Sequence, residues 1–297
     1  MRFTATAALA QQMPSIDYLI IGGGAGGGGG TDSGAGGGAG GYISGSLLAL
    51  TGSYFNITIG AGGTRYTVNS GGTVTSNASN GATSSLFVSS STNGITSKSA
   101  LGGGKGGYYS ISGSDGASGG GGGAQGSLNN FGSGSISDGQ GNNGGSCQPW
   151  PNVPNSSAGP GGGGGAGSPG QNGITKTGGD GKPWLDGIYY AGGGGGGFYS
   201  FDTGHNWGGG AGGVGGGGAG SPTSGADGVS GTANTGGGGG GLGSHPLSGF
   251  NYSSGAGGSG IVKLRYPGTG SLFNAGQISY SGSYTYHTFT ASAAFTI

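Results

Sequence analysis

The chain has 297 residues, of which 91 are glycine and 10 proline, and its eight basic and eight acidic residues leave no net charge. A neutral chain offers no basic face for nucleic acid, and no apolar run reaches the roughly 20 residues that span a bilayer. The single cysteine, Cys147, permits no intramolecular disulfide and reads as a free structural thiol.

Glycine and proline at this level usually mark low complexity. The 14 Tyr, 10 Phe and 3 Trp argue otherwise, because a disordered chain carries few aromatics. The glycines fall in runs at 22–30, 34–41, 102–107, 119–123, 159–167, 192–197, 208–218, 236–241 and 255–260. Such a run holds an α-helix poorly, since each Gly costs about 1 kcal/mol relative to Ala. It makes a weak strand, with no side chain to pack. One ordered option remains. A polyproline-II helix has three residues per turn and bonds outward. Side-chain-free helices of that kind can lie close enough to bond to one another. The expected fold is mostly irregular: a bundle of polyproline-II (polyglycine II) helices with short β-strands at its ends and essentially no α-helix. Pure runs such as 236–241 suit its interior. Runs broken by Ala or Ser, such as 255–260, suit its outside.

In chain order, residues 1–10 read as a strand, although the Ala-Leu-Ala ending also mimics a signal-peptidase site. Residues 16–21 read as a buried strand that runs straight into glycine. Asp17 and that glycine run mimic a dinucleotide-binding turn, but the motif needs a helix next, and more glycine follows. Two strand-like stretches come at 42–50 and 54–59, where Phe55, Ile57 and Ile59 alternate with Asn56 and Thr58. Short strands at 65–68, 72–75, 85–88 and 95–101 complete a β region over one end of the bundle. From 102 to 260, glycine runs alternate with polar connectors that carry aromatics. The closing strand is 260–266, where Lys263 and Arg265 alternate with Leu264 and Tyr266 and predict a charged outer face. The division expected is N-terminal strands (1–21), a glycine-rich bundle (22–267, with the β region at 42–101) and a C-terminal β tail (268–297).

Two stretches carry a family resemblance. Asp17-Tyr18-Leu19-Ile20-Ile21 with its glycines, then Gly40-Gly41-Tyr42 and Tyr54-Phe55-Asn56-Ile57-Thr58-Ile59-Gly60-Ala61-Gly62-Gly63, resemble the opening of the glycine-rich domains of bacteriophage tail-fibre and environmental viral proteins. Gly257-Gly258-Ser259-Gly260-Ile261-Val262-Lys263-Leu264-Arg265-Tyr266-Pro267 resembles their closing signature. The resemblance covers about residues 16–267. It implies a sandwich of polyglycine helices whose edge loops bind host surface proteins or glycans.

The tail repeats the head. Phe289-Thr290-Ala291-Ser292-Ala293-Ala294-Phe295 matches Phe3-Thr4-Ala5-Thr6-Ala7-Ala8-Leu9 at five positions of seven. By the resemblance, a segment like Tyr286-His287-Thr288-Phe289-Thr290 belongs before the first strand. Tail of one copy beside head of the next is a heterologous contact that need not close. Phe3, Leu9, Tyr284, Tyr286, Phe289, Phe295 and Ile297 are the pairing residues expected. The bland reading is that both strands pair within one subunit and cap it.

No catalytic, cofactor-binding or metal constellation appears. His205, His245 and His287 lie far apart, the Asp residues have no calcium-loop spacing, and Gly102-Gly103-Gly104-Lys105 lacks the Ser/Thr and helix of a phosphate loop. Asn56, Asn77, Asn155 and Asn251 stand in glycosylation patterns, which matter only in a eukaryotic secretory setting. The first functional expectation is a self-assembling structural subunit, not an enzyme, of an extracellular or virion-associated filament, with itself as partner. The alternative is a fibre-tip adhesin for a host surface protein or glycan. Its contacts would be Tyr108, Tyr109, Trp150, Trp184, Tyr189, Phe198, Tyr199, Trp207, Phe250 and Tyr252, unless these rings merely seal the ends of the bundle. An ice-binding slab is a third reading, and the irregular runs speak against its flat face.

Overall fold

The computed structural model describes residues 14–30, 33–49, 51–90, 94–109, 111–124, 139–149, 158–198, 208–244 and 251–297. Phe3, Leu9, Trp150, Tyr199, Trp207 and Phe250, with His205 and His245, lie outside the described residues. Among the described residues there is no helix. Most of the chain is irregular, and the regular part is short antiparallel strands.

In chain order the strands are β1 (Ile16–Ile21), β2 (Tyr42–Leu47), β3 (Tyr54–Thr58), β4 (Thr67–Val68), β5 (Val74–Ser76), β6 (Ser84–Ser90), β7 (Gly94–Ala100) and β8 (Gln148–Pro149). Then come β9 (Ala158–Gly159), β10 (Lys182–Pro183), β11 (Tyr189–Tyr190), β12 (Tyr252–Ser253), β13 (Ile261–Pro267), β14 (Gln277–Ser281), β15 (Tyr284–Phe289) and β16 (Ala293–Thr296). Two sheets dominate, in the orders β14-β15-β13-β1-β2 and β16-β3-β6-β7.

Strand β1 is almost wholly apolar because both of its faces are covered. Ile16, Tyr18 and Ile20 point one way, with Val262, Leu264 and Tyr266 of β13, onto Phe55 and Ile57 of β3 and Leu86 and Val88 of β6. Leu19 and Ile21 point the other way, into a cluster with Ala39, Ala166, Trp184 and Tyr190. The period-two pattern of β3 sets its inner face, and each such side chain contributes about 1.5–3 kcal/mol by leaving water. The tail closes both sheets. β14 and β15 form a hairpin whose two-residue loop begins at Gly282, with φ of 58°, the left-handed backbone that such a loop requires at that position.

Apart from Gly159 at the end of β9, the glycine segments carry no strand, yet most of their described amides are occupied. In 22–28, the N–H groups of Gly22, Ala25 and Gly28 donate to the carbonyls of Gly41, Gly38 and Ala35 at 3.0, 3.0 and 2.8 Å. Those of Gly23 and Gly26 donate to Ala82 and Ser79, and those of Gly24 and Gly27 to Gly258 and Gly255. Every third residue meets the same neighbour, and the partner number falls by three each time.

Segment 34–41 lies at the centre. Gly34, Gly37 and Gly40 donate to Leu242, Gly239 and Gly236, and Ala35, Gly38 and Gly41 to Gly107, Gly104 and Leu101. Gly36 and Ala39 donate to Gly161 and Gly164, the one parallel neighbour of this segment. It accepts from 22–28, from Ser118 and Gly121, and from Gly194 and Gly197. It thus gives to three segments and takes from three others. Backbones this close leave no room for a side chain at most positions: a Cβ on Gly37 would run into the Ala25 carbonyl, and one on Gly238 into that of Gly37.

Residues 236–243 are buried, whereas 256, 257 and 259 are half-exposed, as the purity of their runs predicts. One expectation needs amending. A fully surrounded segment does admit methyl groups: Ala35 and Ala39 are buried in the central one. Ala39 sits where that segment meets the sheet, so its methyl joins the Leu19 and Ile21 cluster.

Candidate assembly edge and aromatic cleft

Within one chain the tail is already engaged. β15 lies between β13 and β14, with Arg265 opposite Tyr286 and Val262 opposite Phe289. Tyr284 and Tyr286 therefore have backbone neighbours on both sides, and Phe289 is held by β13 on one side and buried in the core. They are not open to pair with a second copy, because the hairpin partner β14 fills the edge that the sequence left unassigned. β16 differs. It pairs with β3 on one side, Phe295 opposite Phe55, and is the end strand of its sheet among the described residues. The Ile297 amide donates to the Ser53 carbonyl at 3.1 Å, and the Ile297 carbonyl accepts from Gly52. Phe295 stacks on Phe55, Phe273 and Phe289 at ring distances of 5.0, 4.8 and 5.7 Å. It is nevertheless only half-buried, as are Ala293 and Ile297 on the same face.

His287 locks the tail to the closing strand. Its Nδ1 lies 2.7 Å from the Ala275 carbonyl, which can only accept, so Nδ1 carries the proton. Nε2 then accepts from the Tyr266 hydroxyl at 2.8 Å, and that hydroxyl accepts from the Leu272 amide at 2.9 Å. Phe273 stacks on the ring at 3.9 Å. The site is complete with a neutral imidazole, and burial holds the pKa of His287 below the ordinary value, against the Ala275 bond that raises it.

The charged face expected of β13 is not an outer face. Lys263 is buried beneath the 182–190 hairpin and pairs with Asp186, while Arg265 donates from Nε and Nη2 to Asp17 Oδ2 at 3.2 and 2.7 Å. The Arg265 guanidinium stands 4.1 Å from the centre of the Tyr284 ring. Ser46 Oγ donates to the other Asp17 oxygen at 2.8 Å. A cleft of about 360 Å³ opens beside this group, between Asp17, Tyr42 and Ser46 on the sheet and Pro183, Trp184 and Leu185 on the hairpin. The Tyr42 hydroxyl spans it to the Pro183 carbonyl at 3.0 Å.

The loop aromatics divide. Trp184, 7% exposed, packs against Tyr286 and cannot reach a receptor. Phe198 is buried, and Tyr252 is buried with Tyr66, Val68 and Leu242. These three seal the fold. Tyr189, 45% exposed, stands out from the hairpin together with Leu185 and Ile188, and Tyr108 and Tyr109 are also exposed. Tyr108 borders a second cleft, of about 270 Å³, shared with Lys105 and Asn77. Cys147 is buried beside Ala124, and burial pushes its thiol up to about 12. Among the described residues no cluster of His, Cys or Asp could hold a metal ion, and no helix is long and apolar enough to cross a membrane.

No curated protein matches the chain. The family model described as a glycine-rich domain matches residues 3–267, ending with the last residue of β13. The tail that supplies β14, β15 and β16 lies beyond the match. A match over nearly the whole length, on a chain whose glycine segments bond to one another as described, means that the chain belongs to the glycine-rich domain family.

Proposed function

We propose that this chain is a structural subunit of an extracellular or virion-associated filament, in which the head strand of one copy adds to the open edge of β16 in the next. The observation that carries this reading is β16 itself. Among the described residues it is an end strand, and its inward residues Ala293, Phe295 and Ile297 are apolar and only half-covered. Paired as a strand, the sequence Phe3-Thr4-Ala5-Thr6-Ala7-Ala8-Leu9 would put Phe3, Ala5, Ala7 and Leu9 on one face, which suits that slot. Strand addition supplies main-chain hydrogen bonds, with alternate side chains setting the register. An apolar edge of this kind otherwise invites aggregation. The glycine segments are polyglycine II helices in this reading, supported by the recurrence of each neighbour at every third residue. They make a stiff body from which such a filament is built.

Removing residues 277–297 would strip Phe289 and His287 from the core and so would test folding as well as assembly. A cleaner experiment changes the head. Electron microscopy of the full chain should show long fibres, and Phe3→Asp with Leu9→Asp should give discrete folded particles. Fibres that persist in the double variant, or a full chain that stays monomeric at all concentrations, would contradict the proposal.

The exposed hairpin group Leu185, Ile188 and Tyr189 favours a second reading, an adhesin of phage fibre-tip type that meets a host surface protein or glycan there. Discrete particles that bind cells, with binding lost in Tyr189→Ala, would support it.

A further inference from the structure

The closing strand and the β10–β11 hairpin meet at an amine and a carboxylate that are nearly out of solvent. Lys263 Nζ lies 2.5 Å from Asp186 Oδ2, and each side chain is 11% exposed. The Tyr190 hydroxyl touches both: it donates to Asp186 Oδ2 at 2.9 Å and accepts from Lys263 Nζ at 3.1 Å. The other carboxylate oxygen, Oδ1, accepts from the Ile188 amide at 3.0 Å. The rings of Trp184, Tyr190 and Tyr286 surround the amine, with centres 5.8, 5.7 and 6.0 Å from Nζ.

A buried ion pair is a poor way to hold two elements together, because taking both charges out of water offsets much of their attraction. The same atoms are arranged for something stronger. We propose that Lys263 and Asp186 condense to an intramolecular isopeptide bond. One proton passes from the ammonium to Oδ2 across their direct contact, leaving a neutral amine and a neutral acid. The Nζ lone pair attacks Cγ, the Nζ–Cγ bond forms, and negative charge gathers on Oδ1. The Ile188 N–H is already placed on that oxygen to hold the charge. Tyr190 relays a second proton from Nζ to Oδ2, the general acid–base role that its two hydrogen bonds fit. Burial and the neighbouring Asp186 keep its hydroxyl protonated far above the ordinary tyrosine value, so it stays a donor. The Cγ–Oδ2 bond then breaks and Oδ2 leaves as water. Ammonium and carboxylate become one amide and one water, with no oxidant, reductant or metal consumed. The aromatic wall keeps bulk water from the new bond. The bond joins residues 77 apart in sequence, and ties the hairpin to the strand that closes the central sheet.

The wild-type chain itself supplies the test. After denaturation its intact mass should fall one water below that of the sequence. Peptide mapping should recover the peptides holding residues 186 and 263 as one branched species. Lys263→Arg and Asp186→Ala should carry no water loss beyond the substitution, and Tyr190→Phe should cut the linked fraction at least tenfold. Asp186 precedes Gly187, a pair that can lose water by cyclising on its own backbone. A deficit that survives in Lys263→Arg, on a linear peptide, would therefore overturn the proposal. So would a wild-type mass equal to that of the sequence.

Discussion

The β-sandwich that the two main sheets form around their shared core and the glycine segments are held together by opposite means. In the sandwich, side chains carry the stability: Phe55, Ile57, Leu86, Leu264 and Phe289 shut water out of a shared core. In the glycine segments there is little to bury. Backbones approach until amides bond in three directions, as 34–41 does with its six neighbours. Glycine loses more freedom on ordering than any other residue, so it can build a rigid element only where nearly every amide is met. The sandwich should fail when atoms are taken away. The glycine segments should fail when atoms are added.

That contrast can be broken most forcefully in the sandwich. Phe55→Ala should cost about 3–5 kcal/mol, read as a fall in the urea midpoint, and a cost below about 1 kcal/mol would mean that the two sheets do not share a core. Next comes Gly37→Ala. In a flexible linker this change would stabilise slightly, by about 0.4–1 kcal/mol through the unfolded chain. Here the added methyl meets a carbonyl, and overpacking of roughly 1–3 kcal/mol should reverse the sign.

Two buried bases sharpen the comparison through pH, one in each region. Lys176 is buried among glycine segments, where its Nζ donates to the Gly208 carbonyl at 3.0 Å and burial lowers its pKa to about 8. Above about 8 and below the ordinary lysine value, the unfolded chain holds a proton that the folded chain has released, so stability should rise with pH. From about pH 9 the rise should shrink and then turn, since first Cys147 and then Tyr18, Tyr42, Tyr66 and Tyr190 stay protonated past their ordinary values when folded. Urea midpoints from pH 7.5 to about 9.5 would show the rise, and Lys176→Met should flatten it.

In the sandwich, His287 works in an acid window. Its folded pKa lies below the ordinary value near 6.5, so its share of stability is whole above that pH and is lost as pH drops through the folded value. His287→Asn should remove that slope. The smallest effect belongs to Gly270, which has no heavy atom near its missing Cβ. Gly270→Ala should lie within about 0.5 kcal/mol of the parent.

What could be read from the sequence depended on whether a residue's partner mattered. β1 and β3 were legible because an apolar run or an alternation announces a buried face whatever covers it. The alternation of Lys263 and Arg265 announced a solvated face, and that was misleading. Their partners Asp186 and Asp17 arrive from 77 and 248 positions away, and no local pattern marks them. The rings of Trp184 and Tyr189 sit five residues apart on one hairpin and looked alike in sequence, yet one is sealed in and the other stands out. The glycine runs were legible as a class but not as individuals. Segment 34–41, with its two alanines, carried no sign that it would be surrounded. The end position of β16 was half legible. The head–tail repeat pointed to the tail, but only the pairing of β14 with β15 separates the filled edge from the one with no partner among the described residues.

Native-state hydrogen exchange on the 34–41 amides tests the glycine account most directly. If these amides bond to their neighbours as described, they should exchange as slowly as those of β1 and β13, at the rate set by global unfolding. Exchange at the rate of an unstructured peptide, while β1 and β13 remain protected, would contradict it.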